Sequence, residues 1–141
     1  MALLMPNRGE VITLAGIVNK SSAGGPQDLI LRLFKNNYTP VDGSTEANFT
    51  EATFSGYYPR TLAGASWTIY SGAPSYATYA VQTFTVASGS QNQNVYGYYL
   101  QQQTSSWLMW AERFSDAPYL MDAVADYIKV TPRIEARKTG E

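Results

Sequence analysis

Two textures of apolar spacing divide the chain. Val11, Leu14, Ala15 and Val18 follow the i, i+3, i+4, i+7 spacing of one helix face, which predicts a short amphipathic helix over Gly9–Lys20. Pro6 on one side and the SSAGGP linker at Ser21–Pro26 on the other set it apart as an N-terminal arm. Beyond Pro26 the pattern changes to short β-prone runs separated by turn residues, the signature of a sandwich or barrel. In Leu29–Phe34 (LILRLF) both alternating sets are largely apolar, which predicts a central strand. Phe49–Phe54 and Ala65–Tyr70 follow, the latter placing Ala65, Trp67 and Ile69 on one face. In Tyr76–Val86 the alternation changes phase near Gln82, which predicts a bulge or a corner. Val95–Gln102 and Trp107–Phe114 read as a hairpin, and Tyr127–Ile134 alternates until Pro132 restricts it to an edge or a strand end. Seven or eight antiparallel strands predict an all-β sandwich, a jelly roll before an Ig-like Greek key. The expected division is an arm over 1–25, a sandwich over 26–135 and a tail over 136–141.

At 141 residues, a chain of this size buries about two thirds of its surface in one domain. Ten Lys and Arg against eleven Asp and Glu give no basic excess, so phosphate-driven nucleic-acid binding is not expected. The chain contains no Cys and no His. Nucleophilic Cys/His and Ser/His/Asp chemistry, imidazole proton transfer and ordinary zinc sites therefore lose their side chains. The apolar run Val11–Val18 is short and preceded by Glu10, so it reads as part of the mature protein, not as an export signal. No stretch approaches the roughly 20 apolar residues needed to span a bilayer, and no membrane partner is expected.

Few carboxylates invite a chemical role. Glu112, in the Trp107–Phe114 run, alternates with Leu108, Trp110 and Phe114, and a carboxylate beside indoles suggests an acid of raised pKa. In the simpler reading Glu112 and Arg113 are adjacent charges near a strand end, each free to pair across strands or across a subunit interface. Asp116, Asp122 and Asp126 could offer oxygen ligands to calcium but lack the dense spacing of a calcium loop, and read as turn residues. Glu46 and Glu51 read as surface charges. No catalytic residue, cofactor or metal is expected.

The aromatic residues carry more. Adjacent tyrosines on a strand point to opposite faces, so one member each of Tyr57–Tyr58 and Tyr98–Tyr99 is expected at the outer surface, on an interface or a sugar platform. Leu3, Leu4 and Met5, exposed ahead of the helix, are expected to reach a neighbouring subunit. With Glu112 and Arg113 these residues make up the candidate interface.

The strings LRLFKNNYTP (Leu31–Pro40), FTEATFSGYYPRTL (Phe49–Leu62), VYGYYL (Val95–Leu100), LMWAERF (Leu108–Phe114) and IKVTPRI (Ile128–Ile134) run in order through nearly the whole chain. Together they resemble a family of small virion proteins of tailed bacteriophages. The resemblance implies a structural virion protein without enzymatic activity. A capsid decoration (cement) protein is expected first, homo-oligomeric and trimeric by analogy, with the major capsid protein as partner. A tail, baseplate or connector accessory with a lectin-like role is the competing expectation.

Overall fold

The computed structural model describes residues 4–7, 9, 27–72 and 75–136. The predicted helix over Gly9–Lys20 lies almost wholly outside the described residues, as do Leu3 and the end of the tail. Among the described residues there are eleven strands, β1 (Leu29–Phe34), β2 (Arg60–Leu62), β3 (Thr68–Tyr70), β4 (Ser75–Thr78), β5 (Gln82–Thr85), β6 (Gln93–Val95), β7 (Gly97–Gln102), β8 (Leu108–Arg113), β9 (Tyr119–Met121), β10 (Tyr127–Val130) and β11 (Arg133–Ala136). All pairings are antiparallel, so the all-β class expected from the spacing holds. The strands are more numerous than the predicted seven or eight because several runs that read as one strand are broken in two.

Those breaks have a common logic. Strands β4 to β7 pair in reverse order with β11 to β8, so 75–102 and 108–136 are the two arms of one long hairpin whose tip is 103–107. Pairing slips where one arm holds extra residues: 79–81 against 131–132, 86–92 against 122–126, and Tyr96 against 114–118. Extra residues on one arm bend a ribbon, and these slips let it fold over itself. The phase change near Gln82 and the Pro132 interruption are two sides of one such slip, with Tyr79 N–H and Thr78 Oγ1 both donating to the Pro132 carbonyl. Asn92 and Ala125 adopt left-handed backbone at the second slip, and Ser106 does so at the tip.

The tip of the ribbon joins β1 and β2 in a four-stranded sheet of order β2-β1-β7-β8. Across one core this sheet faces the middle of the ribbon, through Leu31, Leu33, Leu100 and Trp110 against Phe84, Val86, Val95, Met121, Ile128 and Val130. Its other face is covered too. Phe34, Tyr99, Leu108 and Ala111 pack under Phe49, with Tyr38 and Tyr96 at the margin. The loop between β1 and β2 thus closes a second, aromatic core, in which Phe49 stacks on Tyr99 at 4.7 Å and meets Tyr38 edge-on. A sheet buried on both faces explains why β1 reads as apolar on both.

Two expectations are corrected here. Leu4 and Met5 are not free: Leu4 exchanges both backbone hydrogen bonds with Ala111 on the outer edge of β8, and Met5 packs against the main core. Pro6 is fully buried, and the Asn7 N–H donates to the Asp42 carbonyl. This part of the arm is docked on its own sheet. Leu108 does not share a face with Glu112, since the register shifts by one residue between Leu100 and Gln101 and sends Leu108 into the second core.

Candidate interaction surface

The charged residues mostly hold the fold. Arg32, on the β1 face that carries Phe34, donates from Nη1 to both carboxylate oxygens of Glu51 at 2.8 and 2.7 Å. Glu51 also accepts the Tyr57 hydroxyl at 2.8 Å, and the same hydroxyl accepts the Leu33 N–H at 3.2 Å. Strand β2 ends opposite Leu31, and an antiparallel bridge between Phe34 and Glu51 takes up the same edge beyond it. The Tyr57 phenol thus serves the Leu33 N–H in the gap between the two pairings. Glu51 is therefore a half-buried keystone and not the surface charge its sequence context suggests. Replacing it with Ala strands a guanidinium and a phenol together and is expected to cost about 2 kcal/mol. Glu51→Gln, which keeps an acceptor for Tyr57, should lose less. Urea unfolding of the two variants measures the difference.

Glu112 lies directly opposite Tyr98 and accepts its hydroxyl at 2.8 Å. Arg113 donates to the Tyr38 carbonyl at 3.1 Å, and its guanidinium lies 5.0 Å from the centre of the Tyr96 ring. The two are not an ion pair: each anchors a different aromatic neighbour, Glu112 towards the main core and Arg113 towards the loop over the second. Asp122 accepts from Ser90 Oγ and the Asn92 N–H, and Asp126 accepts from the N–H groups of Asp122 and Ala123. These aspartates close the second ribbon slip, as turn residues do. Among the described residues no group of acidic side chains is arranged to hold a metal ion.

Tyr57 and Tyr58 divide as expected, one packed on the core and one exposed, but the second pair does not. Tyr98 and Tyr99 are both buried, at 6% and 4% exposure, because each face of β7 has its own core. Burial in the first place, and the Glu112 charge in the second, push the Tyr98 phenol well above its ordinary value. Burial likewise pushes Tyr99 up to about 12. Tyr57, raised by burial and by its bond to Glu51, stacks on Phe84 at 5.7 Å. Only Tyr58 of the four is exposed, with the Arg60 guanidinium 3.6 Å above its ring. Among the described residues of the predicted interface, Tyr58 alone presents a largely open side chain.

The surface that does stand open lies elsewhere. Residues 61–111 contain no Asp, Glu, Lys or Arg, yet within that span Ile69, Tyr70 and Val81 are exposed. Strand β3 is the outer member of a sheet of order β11-β4-β3, and all three of its residues are exposed. Ile69 lies in register with Ala77 and, through β4, with Ile134, which packs on the main core. The inward-facing apolar row therefore begins over the core and continues past it, leaving Ile69 78% exposed. On the opposite face Tyr70 stacks on Tyr76 at 4.8 Å. A second exposed group, Tyr119, Leu120, Val124 and Tyr127, follows the outer side of the ribbon. Tyr119 and Tyr127 flank a cleft of about 240 Å³ floored by Phe114. The sequence signal for β3 is the long absence of charge around a β-branched residue; the alternation of Ala65, Trp67 and Ile69 sets them on one face without telling whether that face is covered.

Compared with protein families, curated proteins and solved structures, the chain matches none.

Proposed function

We propose that this protein is a structural component of a bacteriophage virion, a capsid decoration protein that binds the outside of the assembled shell and ties capsomer junctions together. Its partner in this reading is the major capsid protein, and it acts without cofactor or catalysis. One observation carries an assembled role: a rigid β body whose carboxylates are largely committed to its own fold exposes apolar and aromatic side chains from a span without charge. Exposed apolar patches of this kind mark contact surfaces. The resemblance of the sequence strings to small virion proteins supplies the setting. The ribbon folded over a central sheet is compatible with a jelly roll, a common fold among capsid proteins.

A ligand that binds the intact lattice better than free subunits adds RT ln(1 + [L]/Kd) per site, about 2.7 kcal/mol at a hundredfold excess over Kd. Purified virions should therefore carry this chain at an abundance close to that of the major capsid protein. Shells stripped of it should release DNA at a lower temperature and recover when it is added back. A faint band on the virion gel, with heat release unchanged on stripping, would assign it to the tail or connector instead.

A further inference from the structure

We infer that β3 is a homotypic contact, in which two copies pair their Thr68–Tyr70 strands antiparallel about a two-fold axis through Ile69 and merge two three-stranded sheets into one. The inference rests on this edge alone and stands whether or not the protein decorates a capsid.

An open strand edge is a template for pairing, and natural edges are blunted by lysine and other charges, by proline, by bulges or by being very short. Strand β3 has no strand partner on its outer side among the described residues, and Thr68, Ile69 and Tyr70 are all exposed. It carries no charge, proline or bulge, and its three-residue length is the one such device it has, which limits how strongly the edge can pair. The opposite edge of the same sheet is guarded, since β11 carries Arg133 and Glu135, paired with each other at 2.7 Å.

The chemistry of the edge selects its occupant. Identical copies bring identical charges together, and the uncharged span 61–111 removes that penalty for this chain. A charged partner would instead lose hydration there without gaining a counter-charge. Antiparallel pairing of a strand with itself is an isologous contact, which a two-fold axis generates directly. Centred on Ile69, it sets Ile69 beside Ile69 and Thr68 beside Tyr70. Directly opposed residues share a face, so the overhanging row Ile134–Ala77–Ile69 continues into the same row of the partner copy. The outer face joins the two Tyr70–Tyr76 stacks through the Thr68 positions.

Three residues per strand bury much less than the roughly 800 Å² per partner of a standard interface, so free copies associate weakly. Copies concentrated on a common surface pair far more fully, because the second contact is then effectively intramolecular.

The absence of cysteine gives a direct test. Ile69→Cys creates a sole thiol, and opposed residues of an antiparallel pair have Cβ atoms about 4.5–5.5 Å apart, close to what a disulfide spans. Under a mild oxidant this variant should form a covalent dimer at least about ten times faster than Val124→Cys, an exposed control on the turn between β9 and β10. In the cysteine-free chain, sedimentation equilibrium up to roughly 1 mM should show a monomer–dimer equilibrium that Ile69→Lys abolishes. Equal cross-linking rates, a parent chain monomeric throughout, a trimer, or a dimer indifferent to Ile69→Lys would each overturn the inference.

Discussion

Raising the pH from 10 to 12 is expected to unfold this protein. Tyr57, Tyr98 and Tyr99 each have a phenol raised above the ordinary tyrosine value of 10.0, in every case chiefly by burial. Below pH 10 these phenols are protonated in the folded and the unfolded chain alike, and their contribution to stability is fully present. Above it the unfolded chain loses the protons while the folded chain holds them, Tyr99 until about pH 12 and the other two beyond. Each then withdraws up to about 1.4 kcal/mol of stability per pH unit. By pH 12 the three together remove roughly 8 kcal/mol, comparable with the 5–15 kcal/mol that holds an ordinary domain together. Near-UV circular dichroism and phenolate absorbance, recorded on the same samples, should show these tyrosines ionising only as tertiary structure is lost. Tyr99→Phe removes one of the three contributions and should make the decline shallower. A fold that persists while every tyrosine titrates near 10 would refute the account.

The second large effect belongs to Gly97. Here β1 and β8 approach β7 so closely that an added Cβ would lie 2.1 Å from the Glu112 carbonyl oxygen and 2.7 Å from the Phe34 ring. The first of these atoms is backbone held in the β7–β8 ladder, and the second belongs to a fully buried ring, so neither can move aside cheaply. Gly97→Val is expected to cost about 3 kcal/mol or more. For a chain of this length that lowers Tm by roughly 10 °C. Gly43, whose added Cβ would meet nothing within 4 Å, provides the control: Gly43→Val should leave Tm nearly unchanged. Thermal unfolding of the two variants compares a steric clash with the same chemical change in open space.

Periodicity made the β class and the principal hairpin legible. Leu29–Phe34 was readable as central because both of its faces are apolar, and the hairpin of β7 and β8 because Thr104–Ser106 separates two strong runs. The short strands β2 and β9 were not readable, since three residues carry no period. The burial of both Tyr98 and Tyr99 was missed for a definite reason. Alternation tells that Tyr98 and Tyr99 point to opposite faces, but not that a loop carrying Tyr38 and Phe49 covers the second face. The Leu108–Glu112 misplacement follows from a single-residue register shift, to which strict alternation is blind. Glu51 could not be told from a solvated charge, because its partners Arg32 and Tyr57 come together only in the folded chain.

The two arms of the long hairpin are chemically unequal. Residues 75–102 contain no charged side chain, while every charge of the ribbon lies in 108–136. During synthesis the neutral arm emerges first and must wait for its partner. Closure spans the chain from Ser75 to Ala136, so native pairing is non-local and slow to complete at the open end. In that interval the neutral arm has β-rich segments and no charge to keep it from pairing with a copy of itself on a neighbouring nascent chain. The later arm is therefore the gatekeeper of the earlier one. Its Lys129, Arg133 and Glu135 line the ribbon beside strands that have no such protection of their own, and docking them ends the period in which this sequence is most open to aggregation.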